Sequence, residues 1–193
     1  ARELLLTTPE TYDIVYSQPP NPYRAGVSSL FTQEFYSAVR GRLNPGGFFL
    51  QWLQANEVDA PTVETVYATL SNVFPVVETW QTQTTDLLLV ATDRPVDWDV
   101  PRLRDAVARG DPARALRAAW RATDLEGFLA HRLAGPALAT AVAGVAPDVD
   151  TDDRPRIEFG FARSVGLPPR FDAARIRAVA RALGDDRPPL TGG

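Results

Sequence analysis

The stretch that most constrains the fold runs from Tyr12 to Leu43, where a short apolar run, a proline-dense loop and an amphipathic segment follow one another. Ile14–Tyr16 is rich in β-forming residues, and the prolines after it have no N–H to extend a sheet, so a strand must end near Gln18. Thr32 can cap the helix that follows. Strand, loop and helix in this order form the unit on which open α/β sheets build their sites, because ligands bind at the carboxyl ends of the strands.

The next residues continue the same alternation. Phe48–Leu53 is mostly apolar, as expected for a strand covered on both faces. Asp59 and Pro61 open a second amphipathic helix, and Val76–Gln81 and Leu87–Thr92 read as two strands of a hairpin. The order β, α, β, α, β, β predicts an α/β fold over residues 1–95, with a parallel sheet that ends in an antiparallel hairpin.

A linker from Pro95 to Pro101 precedes a change in composition. Helical periodicity then predicts helices at 103–109, 112–121, 125–133 and 136–145, and a last one that Asp172 caps. Alternation around Ile157 predicts one edge-like strand at about 156–163. We therefore expect a mostly helical extension over 96–184 and a disordered tail over 185–193.

Composition narrows the class of protein. The chain has 20 basic and 24 acidic residues, a net charge of −4 and no basic run, which argues against nucleic acid as a partner. No cysteine is present, and no apolar run approaches the roughly 20 residues of a membrane span. We expect a cytoplasmic protein with a small-molecule substrate. The first residue is Ala1, so what precedes it, including a membrane anchor in a longer parent, stays open.

Two other signals carry little chemistry. The aspartates between residues 148 and 153 imitate the start of a calcium loop, but Asp153 and Phe159 stand where that loop needs glycine and glutamate. We expect a solvated turn there and no metal site. His131, the single histidine, lies in a predicted helix and is expected to be a surface or capped residue.

Specific motifs appear in the opening stretch. YDIVYSQPPNP, followed by SLFTQEFYSAVRGRLNPGGFFLQ, resembles the spermidine synthase (polyamine aminopropyltransferase) family, and in particular its bacterial spermidine synthase-like subgroup. Thr151–Phe159 (TDDRPRIEF) looks like a weaker motif of the same subgroup, so the resemblance covers most of residues 1–165. It implies the class I methyltransferase-like (Rossmann-like) sheet that ends in an antiparallel hairpin, and residues 1–95 would be the C-terminal half of that domain.

The resemblance also implies where the cofactor binds. The family transfers an aminopropyl group from decarboxylated S-adenosylmethionine to a polyamine. Ala1 and Arg2 align just after the aspartate that holds the adenine ring, so the cofactor-binding residues are expected upstream of Ala1. We therefore expect no cofactor to bind this chain alone, and we expect a homodimer or a pairing with the missing N-terminal half.

The same alignment places neutral residues at the family's catalytic positions. Gln18 and Asn21 stand where two aspartates orient and deprotonate the amine and bind the polycation. Amides have no useful basicity and no charge with which to pair an ammonium group. Tyr23, Arg24 and Trp52 are the substrate-binding candidates near them. Asn21 is also compatible with a plain turn, Arg24 with a solvated loop residue, and Trp52 with a core residue.

Three functions stay open at this point. The first is the family's aminopropyl transfer, impaired or altered by Gln18 and Asn21. The second is another S-adenosylmethionine-dependent transferase, such as a methyltransferase, whose cofactor half belongs to a longer protein. The third is a non-catalytic binding or scaffold module that keeps the fold without the reaction.

Overall fold

The computed structural model describes residues 2–20, 22–24, 26–54, 58–82, 86–145, 148–160 and 172–192. The strands within these ranges are β1 (Tyr12–Ser17), β2 (Leu43–Gln54), β3 (Val76–Gln81), β4 (Asp86–Thr92), β5 (Trp98–Asp99), β6 (Arg132–Ala134) and β7 (Leu190–Thr191). The α-helices within them are α1 (Arg2–Thr7), α2 (Gln33–Arg40), α3 (Ala60–Val73), α4 (Val100–Ala108), α5 (Gly110–Trp120), α6 (Leu125–Leu129), α7 (Pro136–Val145) and α8 (Ala173–Ala182). None of these helices combines the length and the apolar composition that a membrane crossing requires.

The main sheet, over the described part of the chain, has five strands in the order β1-β2-β4-β3-β6. β1 and β2 run parallel, and β4 lies antiparallel between β2 and β3, so β3 runs parallel to β2. This inserted antiparallel strand confirms the predicted α/β class with a methyltransferase-like, Rossmann-type sheet. It follows that β1, β2 and β3 all end at the same edge of the sheet.

Helices α2 and α3 cover one face of the sheet because their apolar stripes meet the alternate residues of β2. Thr32 caps α2 by accepting a hydrogen bond from the N–H of Phe35, and Asp59 caps α3 by accepting one from Thr62. The rings of Phe35 and Tyr36 pack on Phe49, with centroids 6.2 and 5.5 Å away. All of these rings are buried. The core therefore fixes the two helix N-termini beside the carboxyl ends of β1 and β2.

The opposite face is covered unevenly. Helices α5 and α6 bring Trp120 and Phe128 onto Trp80, with ring centroids 6.4 and 5.0 Å away. At the other end of the sheet, Ile14 and Tyr16 of β1 are each 52% exposed. This face is thus a packed aromatic cluster beside β3 and an open apolar surface beside β1.

The region after residue 96 shares the core of the sheet. The predicted helix over 125–133 is wrong in its last part, because α6 ends at Leu129 and β6 pairs with β3. Leu133, Leu138 and Ala180 join the same buried cluster as α2 and α3. The helical extension is therefore built onto the sheet by a three-residue strand that is too short to show a periodicity.

Two other predictions need correction. The edge-like strand at about 156–163 is wrong over its described part: residues 156–159 form turns around a fully buried Ile157, and 161–163 lie outside the described residues. The disordered tail is wrong for residues 185–192. Asp185 accepts hydrogen bonds from Gly135 N at 2.9 Å and from Leu138 N at 3.0 Å, and β7 pairs with β5. The start of this tail is ordered because Asp185 caps the N-terminus of α7.

Candidate functional site

The candidate site lies where β1 and β2 end. Gln18 follows β1 directly and is exposed, and Asp59 stands at the start of α3, shortly after β2. The loop between β1 and α2 (18–30) crosses this edge with its described residues 18–20, 22–24 and 26–30, and residues 148–160 lie over them. We call the space bounded by the loop, the N-terminus of α3 and residues 148–160 the mouth.

Tyr23 ties the loop to α3. Its hydroxyl accepts a hydrogen bond from the N–H of Asp59 at 3.0 Å, donates to Asp59 Oδ1 at 3.4 Å and lies 3.1 Å from Thr62 Oγ1. The N–H that Tyr23 engages is at the start of a helix, where it has no partner inside the helix. Gly160 closes the other side, because a Cβ there would lie 2.6 Å from Thr62 Oγ1 and would also overlap the Tyr23 ring.

Residues 148–160, which we call the clasp segment, bridge the loop to α1 and α2. Glu158 Oε2 accepts from Ser28 Oγ at 3.4 Å. The N–H of Gln33 donates to the carbonyl of Asp150 at 2.8 Å, and the N–H of Asp152 donates to Glu34 Oε2 at 3.0 Å. Asp152 forms an ion pair with Arg2. The clasp segment is therefore held from several sides, and it brings the TDDRPRIEF motif directly onto the loop.

Asp150 is the buried anchor of the clasp segment, which corrects the prediction of a solvated turn. Its side chain is 0% exposed. Its Oδ1 accepts from the N–H of Ile157 at 3.1 Å, and its own N–H donates to Thr69 Oγ1 at 2.9 Å. Within the described residues, Asp150 Oδ2 and the Tyr36 hydroxyl are buried without a hydrogen-bond partner. Burial raises the pKa of Asp150 to about 6.

The sequence-predicted site residues do not all meet. Gln18 lies at the edge of the mouth and Tyr23 lines it, while Arg24 is exposed on the loop. Asn21 lies outside the described residues. Trp52 pairs with Leu88 and alternates with Leu53, so it stands on the face opposite α2 and α3. Tyr23 and Trp52 are thus on different faces of the sheet, and the geometry groups Tyr23 with Asp59 and Thr62 instead.

Sequence reasoning missed several polar groups around the mouth. The sequence indicates Asp59 only as a helix cap, and it indicates Glu158 only as part of the weaker motif. Gln51 is fully buried, and its Oε1 has no partner within the described residues. It lies next to Ser17 in the parallel register of β1 and β2. Only the strand period of FFLQWL could have indicated that Gln51, and not Trp52, faces α2 and α3.

Tyr16 and Asp86 are a pair of titratable residues at the same edge of the sheet. Burial raises the pKa of Tyr16, and the negative charge of Asp86 raises it further. Tyr16 belongs to β1 and Asp86 begins β4, on the far side of β2. Both stand on the open apolar face, so this pair is separated from the mouth by the sheet.

Comparison with solved structures gives a structural similarity. The chain is similar to a crystal structure of a probable spermidine synthase from Corynebacterium glutamicum ATCC 13032, with a TM-score of 0.46 and 14% sequence identity. The alignment covers 78% of this chain and 51% of that one, so this chain spans about half the length of that structure. No protein-family model matches the chain, and no curated protein matches it.

Proposed function

We propose that the mouth is the substrate site of a spermidine synthase-like transferase, and that Gln18 and Asn21 leave aminopropyl transfer to a polyamine impaired or altered. The donor, decarboxylated S-adenosylmethionine in the resembling family, binds mainly to residues outside these 193. The support for the family is the pair of motifs in Tyr12–Leu43. The support for a binding site is that hydrogen bonds of Tyr23 hold the loop in place.

The tie between Tyr23 and the N-terminus of α3 is the observation that carries this proposal. It fixes a proline-dense loop at the carboxyl end of β1, where an α/β sheet binds its ligands. A loop held in one conformation loses less entropy when it binds a ligand. The hydrogen bonds from Tyr23 therefore suit a binding site better than a plain connection between two elements.

The charges of the mouth decide which ligand fits. Gln18 offers an amide at the position from which a base would act, so a proton must leave the substrate by another route or not at all. Asp59 and Glu158 are carboxylates at the mouth, but each accepts a hydrogen bond from the protein itself. A substrate with one amine fits this arrangement better than a polycation that needs several free carboxylates.

A methyltransferase-like activity and a non-catalytic binding module are the two alternatives, and donor binding separates them. Calorimetry with methylthioadenosine and with S-adenosylhomocysteine, the products that the two transferases release from their donors, should show no binding to the 193-residue chain and clear binding of one of them to a longer parent that contains it. Tight binding to the chain alone would place the donor site within these residues. No binding to the parent would rule out both transferases and leave the binding module.

A further inference from the structure

We propose that the protonation state of Asp150 controls the clasp segment. The segment stays over the mouth when the carboxyl group of Asp150 is neutral and is released when this group is ionised. The proposal goes beyond the proposed function because it concerns when the mouth is covered. Only the consequence for ligand entry rests on the proposed function.

The geometry places a single carboxyl group at the centre of the segment's attachment. Asp150 contacts α2 through its carbonyl, which accepts from Gln33, and α3 through its N–H, which donates to Thr69. Its Oδ1 also fixes the turn of the clasp segment by accepting from Ile157, whose side chain is fully buried. Any change that draws the Asp150 side chain toward water therefore loosens the segment from both helices.

The second oxygen of this carboxyl group is placed for a neutral acid. Asp150 Oδ2 is buried without a hydrogen-bond partner in the described residues, and the buried hydroxyl of Tyr36 is in the same condition. An ionised oxygen buried in this position loses its hydration, which is costly. The neutral carboxyl group is far less costly to bury, so the position favours a protonated oxygen.

The charged groups that face Asp150 leave this preference in place. Burial is the largest cause of its raised pKa, and Glu34 of α2 raises the pKa further because it repels the ionised form. Hydrogen bonds from the backbone N–H groups of Ile157 and Arg156 lower the pKa, and so does the charge of Arg156, each with a smaller effect than burial. Tyr36 of α2 is buried, and the charge of Asp150 adds to the increase in its own pKa. Thr69, the contact of Asp150 on α3, is not titratable. The closed segment favours the protonated acid because burial outweighs the groups that lower the pKa.

Release of the segment would uncover the mouth. Glu158 would leave Ser28, and Gly160 would leave Tyr23 and Thr62, which it contacts closely. The loop 18–30 would then be open to solvent on the side that the clasp segment now covers. The covered mouth is therefore more stable in acid than at neutral pH.

Hydrogen exchange of the unliganded chain tests the clasp without any substrate. The amides of Asp152 and Ile157 should lose protection, after correction for the intrinsic pH dependence of exchange, by about tenfold between pH 5 and pH 8, because the carboxyl group of Asp150 ionises near 4 when the segment is open and near 6 when it is closed. The midpoint should lie near 6. Asp150→Asn should remove the pH dependence, and Asp153→Asn, which changes an exposed aspartate of the same segment, should keep it.

A carboxyl NMR titration of the wild-type chain provides a second readout if Asp150→Asn does not fold. The proposal expects Asp150 to titrate near 6, whereas an ordinary aspartate titrates near 4. A midpoint near 4, or protection of the clasp segment that does not vary with pH, would overturn the proposal. Neither result bears on whether the mouth binds a substrate, because no ligand is present in either experiment.

Discussion

Gly160 is the residue at which the clasp segment approaches the loop most closely. A Cβ at this position would lie 2.6 Å from Thr62 Oγ1 and would also overlap the Tyr23 ring. We expect Gly160→Ala to lower the free energy of unfolding by about 1 to 3 kcal/mol, because overpacking forces the neighbours to move. Urea denaturation followed by tryptophan fluorescence measures this loss.

Gly144 of α7 is the matched control for that substitution. A Cβ there would meet no atom within 4 Å, so Gly144→Ala should be neutral or should stabilise the chain by up to about 1 kcal/mol through its better helix propensity. Equal effects of the two substitutions would contradict the close packing of the clasp segment on Tyr23.

Asp150 also makes the stability of the chain depend on pH. Its pKa is about 6 in the folded chain, above the value of about 4 that an unfolded chain gives it. The stabilisation is therefore fully present below pH 4 and is lost as pH rises through 6. We expect a loss on the order of 2 to 3 kcal/mol between pH 4 and pH 7 from this group. Comparing the pH dependence of unfolding in wild type and Asp150→Asn isolates it.

For single residues, the sequence predicts where a residue lies in the fold better than it predicts which residues it contacts. Gln18 and Tyr23 lie at the mouth, as their place after β1 implies, because a strand must end where prolines follow it. The sequence does not predict the burial of Asp150, since four aspartates in six residues indicate a solvated turn. Its burial depends on Thr69 and Tyr36, which come from distant helices.

At the scale of elements, the attachment of β6 to β3 depends on a buried ion pair. Arg132 and Glu78 are 1% and 5% exposed, and Arg132 Nε lies 3.3 Å from Glu78 Oε2. Arg132 also donates to the carbonyl of Asp185 at 3.2 Å. We expect Arg132→Met to lower the free energy of unfolding by about 3 to 5 kcal/mol, because it leaves a buried carboxylate unpaired.

An exposed ion pair provides the comparison. Arg104 and Glu126 are 54% and 66% exposed, so Arg104→Met should cost less than about 1 kcal/mol. Thermal unfolding of the two variants under the same conditions measures the difference. A loss of similar size in both would mean that the Glu78–Arg132 pair does not hold β6 to the sheet.

The elements themselves are largely predictable from local patterns. Helical periodicity and capping residues indicate α2, α3, α7 and α8, and apolar runs indicate β1 to β4. The three-residue β6 and the two-residue β7 are not predictable, because neither is long enough to show a period of two. Each exists only because a partner strand, β3 or β5, offers it hydrogen bonds.

For the whole molecule, the open side of β1 has the clearest consequence. β1 is an edge of the described sheet, and Ile14 and Tyr16 are each 52% exposed. A flat apolar edge strand pairs readily with another chain. We expect the 193-residue chain to self-associate with rising concentration in sedimentation velocity.

Tyr16→Lys should weaken this association, because a charge on an edge strand opposes pairing. Leu183→Lys is the control, since it places the same charge at an apolar residue that is 44% exposed beyond α8. The association should survive in the control. A wild-type chain that stays monomeric at every concentration would show that β1 is not an interacting edge.

The α/β class and the antiparallel hairpin that ends the sheet follow from the sequence, and the amides at the family's two acidic positions are read directly from Gln18 and Asn21. The cover over the mouth does not follow from the sequence, because the clasp segment follows the loop by more than a hundred residues. We propose that this mouth keeps its place in the fold but lacks the carboxylate pair with which the resembling family binds a polyamine.

Calorimetric titration of 1,4-diaminobutane tests that claim most directly. The wild-type chain should bind the diamine no tighter than millimolar. The double substitution Gln18→Asp with Asn21→Asp should raise the affinity by at least about tenfold, because a charge-assisted hydrogen bond is worth about 1.5 to 3 kcal/mol. Thr82→Asp, which adds a charge directly after β3, should not. Micromolar binding by the wild type, or no gain in the double variant, would contradict the account.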